Sequence, residues 1–197
     1  MLGRVAEVLG SSRATIHPVA TLDGLVRGGM FLLLDGLAPP SARPDPWAFY
    51  RDLRGSRDVL IARDGEGRIV GFVGLTPIDV AIGAGAQEQT QRVVLSGAPI
   101  GPADAHPALA RAALRYLTRE RRRAPDGVLW WAVPGREPWL PLGGTIGFTP
   151  DSAVGDVIEA AIGGPASVAR LGASALAWQI AREVMSGAAS RRDGGPA

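Results

Sequence analysis

Few residues in this chain of 197 are equipped for chemistry. Cysteine and lysine are both absent, and histidine occurs twice, as His17 and His106. Without a thiol there is no disulfide, thiolate–zinc or iron–sulfur ligation and no cysteine nucleophile, and nothing indicates the redox compartment. Without a lysine there is no Schiff base and no Walker-type phosphate lysine. No Ser/His/Asp arrangement, HExxH zinc helix or GxxxxGK[ST] loop occurs, so no metal site is expected. Gly83-Ala84-Gly85 lacks the third glycine of a dinucleotide fingerprint, because Glu88 stands there, and a strand rather than a helix follows. His106 opens a helix, where it is placed to meet a phosphate or to act as a base. The helix dipole disfavours its imidazolium, and a plain surface histidine is the alternative. His17, beside Pro18, reads as structural.

Charge and composition set the frame for these residues. The 21 basic residues, all arginine, oppose 19 carboxylates for a net charge of +2, so the pI near 9.9 reflects a small excess of a very weak acid. One short cluster, Arg119 with Arg121, Arg122 and Arg123, is too little for a nucleic-acid binder. An apolar fraction of 46% at this length suits one globular domain that can bury a core. The N-terminus is interrupted by Glu7, and the apolar run Met30–Leu34 is far too short to span a bilayer. A soluble, cytoplasmic protein with no membrane role is expected.

The elements that must position the chemistry follow from period and punctuation. Residues 14–20 read as an edge strand because Pro18 removes a ladder donor. Thr21 and Asp23 offer caps to a helix over 22–34, and Asp45-Pro46 starts a short helix over 47–54. Val59–Ala62 and Ile69–Leu75, joined through Asp64-Gly65-Glu66-Gly67, predict a hairpin. Residues 89–95 predict a strand. Leu109, Ala112, Ala113, Tyr116 and Leu117 recur at helical spacing and predict a helix over 105–123, with Arg111, Arg115, Arg119 and Arg122 on its solvated side. Val128–Val133 has the composition of a buried strand, in which Trp130 and Trp131 either pack in the core or line a groove with Trp139. Residues 145–148 and 157–162 predict further strands. A helix over 165–186 is expected from Pro165 and the row Leu176, Ile180 and Val184, widened by Trp178 and Met185.

This order, with the segment Val59–Val73, the paired tryptophans 130–131 and Ile146-Gly147-Phe148, resembles the Gcn5-related N-acetyltransferase superfamily over about residues 14–162. The resemblance implies an α+β, GNAT-like acyl-CoA N-acyltransferase fold, a mixed central sheet with helices on both faces, to which a C-terminal helix is added. The division expected is an acyltransferase domain over 1–163, that helix over 164–188 and a tail over 189–197. The resemblance further implies acetyl-CoA or another acyl-CoA as co-substrate and a small-molecule or peptide amine as acceptor. Its pantetheine would lie as an added strand against Val94, Leu95 and Ser96. The phosphates would fall near Gly97, Ala98, Gly101 and His106, and Glu88 would be the general base, a solvated loop carboxylate being the alternative. The family's Arg/Gln-x-x-Gly-x-Gly/Ala loop is replaced here by Gly97-Ala98-Pro99-Ile100-Gly101-Pro102, in which each proline deletes an amide donor. A non-catalytic domain that binds a partner protein or small ligand is therefore the competing expectation. The apolar C-terminal helix is expected to cover a sheet edge or to form a homodimer contact.

Overall fold

The structure, a computed structural model, describes residues 13–82, 88–135 and 152–171. Its strands are β1 (Arg13–Pro18), β2 (Asp58–Arg63), β3 (Ile69–Ile82), β4 (Gln89–Ser96), β5 (Leu129–Pro134) and β6 (Ala166–Leu171). Its helices are α1 (Gly24–Leu37), α2 (Pro46–Gly55), α3 (His106–Arg121) and α4 (Ser152–Ile162). The strands lie in chain order in one sheet, antiparallel except for the parallel pair β4–β5. Among the described residues, no helix is long and apolar enough to cross a membrane.

Local chemistry accounts for the first half. Asp23 caps α1 by accepting from the Val26 amide, and Asp45 caps α2 by accepting from Trp47 and Ala48. The β2–β3 turn is built on Asp64. Its Oδ1 accepts from the amides of Glu66 and Arg68, its Oδ2 accepts from Arg68 Nε at 2.7 Å, and Gly67 supplies the positive φ of 81°. The long strand β3 changes partner at Leu75, pairing with β2 before it and with β4 after it. The Gly97 amide donates to Gly74 O, so alternate pairs along β3–β4 are hydrogen-bonded and Pro77, opposite Val94, falls between them. The donor that Pro77 lacks would have pointed to the edge that β2 has already left.

Alternation divides the core. Leu60, Ala62, Val73, Val94 and Trp131 face α3, whose buried row is the one the sequence predicts. On the opposite face Val59, Ile61 and Phe72 pack with Met30 of α1 and with Phe49 and Leu53 of α2. On that same face Val80, Val93, Trp130 and Ala132 pack with Val154 and Ile158 of α4. Both tryptophans are therefore core residues.

Two expectations are corrected. Residues 157–162, expected as a strand, end helix α4; Val154, Val157, Ile158 and Ile162 have helical rather than alternating spacing, and this side of the sheet needs a cover. The helix expected from Pro165 is a strand over its first part, because Ala166–Leu171 forms six register pairs with β5 and closes an otherwise open edge. Residues 172–186 of that expected helix, the strand expected at 145–148 and Trp139 lie outside the described residues.

Candidate functional site

The parallel pair β4–β5 holds from Arg92↔Leu129 to Leu95↔Ala132 and no further. Past that point each strand follows its other neighbour. Ser96 remains opposite Leu75 of β3 and the Gly97 amide donates to Gly74 O, whereas Val133 and Pro134 remain paired with β6. Two strands held from opposite sides diverge. A cleft of about 560 Å³ lies at the divergence, with Leu95, Ser96, Gly97 and Ala98 on one side and Pro134 on the other.

Helix α2 supplies a further wall. Asp45, Ala48, Phe49, Asp52, Leu53 and Ser56 all line the cleft and recur at i, i+3, i+4, i+7, i+8 and i+11, which is one helical face. Phe72, Gly74 and Thr76 of β3 and Leu34 of α1 also line it. A Cβ at Gly74 would overlap Ser56 Oγ, so this glycine lets the end of α2 approach β3.

Most polar groups of the cleft are turned to backbone. Both Asp45 oxygens accept helix amides, Thr76 Oγ1 donates to Gly55 O and accepts from Arg57 N, and Ser96 Oγ donates to Gly97 O. Asp52 differs. Its carboxylate is 3.5 Å from Arg51 Nε, and both side chains are about three-quarters exposed. No arginine or histidine is among the lining residues described.

Four of the residues expected to hold a cofactor, Leu95, Ser96, Gly97 and Ala98, are brought together in this cleft. Val94 is fully buried toward α3. Gly101 has φ of 141°, and a Cβ there would stand 2.7 Å from Val70 O, so its role is to let the loop lie against β3. His106 begins α3, and its Nε2 donates to Gly101 O at 3.2 Å, since a carbonyl can only accept. Phe72 and Ile100 exchange both of their backbone hydrogen bonds, tying the same loop down. Glu88 is exposed just ahead of β4, at the far end of the strand. Eight residue steps at about 3.3 Å separate it from Ser96, roughly 26 Å. It does not line the cleft. Gly83 and Gly85 lie outside the described residues.

Asp52, Ser56 and Thr76 are functional candidates that the sequence reading passes over. The signal available was the mixed polar and apolar face of the short helix after Asp45-Pro46, which gives no hint of what it faces.

The mixed six-stranded sheet with helices on both faces is the architecture that the acetyltransferase resemblance implies. No protein-family model and no curated protein matches the chain. Among solved structures, the chain trace is similar to the GNAT family N-acetyltransferase YhbS from Escherichia coli in complex with CoA. The identity is 16%, the match covers 84% of this chain and 86% of that one, and the TM-score is 0.43. It is also similar to the NatC complex bound to Gag peptide and CoA, at 9% identity over 76% of this chain and 83% of that one, with a TM-score of 0.38.

Proposed function

We propose that the chain is an acyl-CoA-dependent N-acyltransferase, carrying an acyl group, acetyl in the simplest case, to an amine. The observation that carries this is the parting of β4 from β5 after Leu95 and Ala132 beside a cleft of about 560 Å³. A pantetheine arm is a chain of amides of the right width to enter between parting strands, and Leu95–Ala98 with Pro134 would receive it. In the reaction the amine nitrogen bonds to the thioester carbonyl carbon and the carbon–sulfur bond breaks. The sulfur leaves as thiolate, and the proton lost from nitrogen balances it. The cleft contributes by holding the two reactants together.

The phosphate end fits less well. The amides of Gly97, Ile100 and Ala105 are taken by Gly74, Phe72 and Pro102, and Pro99, Pro102 and Pro107 carry none. Weak acyl-CoA binding follows. These same bonds favour the second reading, a domain that binds a small ligand in the cleft without acyl transfer. Titration calorimetry with acetyl-CoA, followed by an assay of thiol release with an amine present, tests the proposal. Heat at millimolar acetyl-CoA and amine-dependent thiol release are expected. No heat and no thermal shift at that concentration would overturn the acyltransferase reading and leave the binding domain.

A further inference from the structure

The cleft is selective in charge. Among the described residues two carboxylates line it, Asp45 at the N-cap of α2 and Asp52 within that helix. Asp45 has both oxygens engaged by the amides of Trp47 and Ala48, so its charge is spent on the helix N-terminus. Asp52, two turns along the same face, has the 3.5 Å pairing with Arg51 Nε on its Oδ1. Two side chains exposed to that degree form a weak pair, which an entering cation displaces at little cost.

Part of the cleft lining is apolar. Leu34, Phe49, Leu53, Phe72 and Ile100 line the cleft, and the rings of Phe49 and Phe72 meet edge to face with centroids 6.1 Å apart. An anionic acceptor would meet Asp52 and no compensating cation among the lining residues described. A cationic acceptor meets the Asp52 carboxylate at one point and the apolar side chains of the lining at others, and an aromatic wall favours a cation further.

We infer that the acceptor is a primary amine with an apolar body and no negative charge, and that Asp52 holds its nitrogen as the ammonium on entry; that ammonium gives one proton to solvent before attack, and the second leaves as the amide forms. As a statement about the acceptor this rests on the acyltransferase reading; as a statement about what the cleft binds it stands apart from it.

Three probes of one length separate the possibilities: hexylamine, 1-hexanol and hexanoate, titrated by calorimetry into the full chain without acyl-CoA. Hexylamine is expected to bind most tightly, more weakly as salt is added, and hexanoate least. Asp52→Asn, at an exposed helix position where the fold does not depend on it, should weaken hexylamine by more than about 2-fold, toward the roughly 5-fold that one exposed ion pair can reach, and leave hexanol unchanged. Arg51→Ala, which removes the competing guanidinium, should tighten hexylamine. Hexanoate binding as well as hexylamine overturns the inference. So does an Asp52→Asn chain whose hexylamine affinity stays within about 2-fold of the parent. A separate titration with acetyl-CoA keeps the two claims distinct. If acetyl-CoA binds and hexylamine does not, the cation inference falls alone. If hexylamine binds through Asp52 and acetyl-CoA gives no heat, the acyltransferase reading falls and the cation site remains.

Discussion

Glu120 shows how one residue's chemistry reaches across the fold. Its side chain is 1% exposed on α3 and takes Arg92 Nη2 at 2.8 Å and Arg123 Nη1 at 2.9 Å, while Arg92 also reaches Asp79 at 2.9 Å. One buried carboxylate thus ties α3 to β4 and, through Arg92, to β3. Removing Glu120 leaves the largely buried Arg92 guanidinium with Asp79 alone, while Arg123 is half-exposed, so Glu120→Ala should lower unfolding stability by about 1–3 kcal/mol, with Glu120→Gln losing less. Urea denaturation measures both, and equal stability of Glu120→Ala and the parent would contradict this account. Asp64 carries a pH dependence. The hydrogen bond from the Arg68 side chain, outweighing partial burial and aided by the Arg68 and Glu66 amides, holds its carboxyl below the ordinary 3.8. The folded state therefore binds fewer protons here than the unfolded chain. The stability this supplies is fully present above pH 3.8 and is lost as pH falls through the lower folded value. Acid titration of Asp64→Asn should show a shallower loss of stability below that pH than the parent, and identical acid profiles would sink the assignment.

At the scale of elements, the loop from β4 to α3 is held by contact rather than by propensity. Gly101 brings it onto Val70 and Gly71, Phe72 and Ile100 lock it, and His106 closes it back on Gly101. Gly101→Ala places a Cβ 2.7 Å from a backbone oxygen at a φ that L residues rarely adopt. A cost of about 1–3 kcal/mol is expected, with the loop displaced from β3. Because Ile100 lines the cleft, acetyl-CoA binding should weaken along with thermal stability, and a variant unchanged in both would show that the loop does not depend on this approach. Glu88 lies on the opposite end of β4, so thiol release by Glu88→Gln should stay within a few-fold of the parent. A large loss would return the base to that residue.

For the whole molecule, the sheet depends on β6, its last strand among the described residues. β6 covers the edge of β5 along six register pairs and buries Ala169 and Leu171 in the α3 core. A chain stopped at Gly164 uncovers β5, the strand carrying Trp130 and Trp131, and leaves a hydrophobic edge of the kind that aggregates. Light scattering on that truncation should find aggregated or unfolded protein. A soluble, equally stable monomer would mean that β6 is dispensable.

What the sequence by itself determined is whatever depends on residues close together in the chain. The Asp64–Gly67 turn between two apolar runs, the Asp23 and Asp45 caps and the α3 stripe are legible because each is settled within one or two turns of backbone. The proline-broken loop after β4 was legible for the same reason, since a missing amide is a property of the residue. Short apolar runs were not legible. Residues 157–162 and 166–171 satisfy helix and strand about equally in isolation, and the open edge of β5 together with the bare face over Val80, Val93 and Trp130 decided between them. The cleft likewise belongs to the tertiary structure. Asp52 and Ser96 line one cleft because β3 changes partners at Leu75 and β4 parts from β5 after Leu95, both consequences of pairings between strands distant in sequence. The same pairings leave Glu88 at the wrong end of its strand, which no local pattern around that residue records.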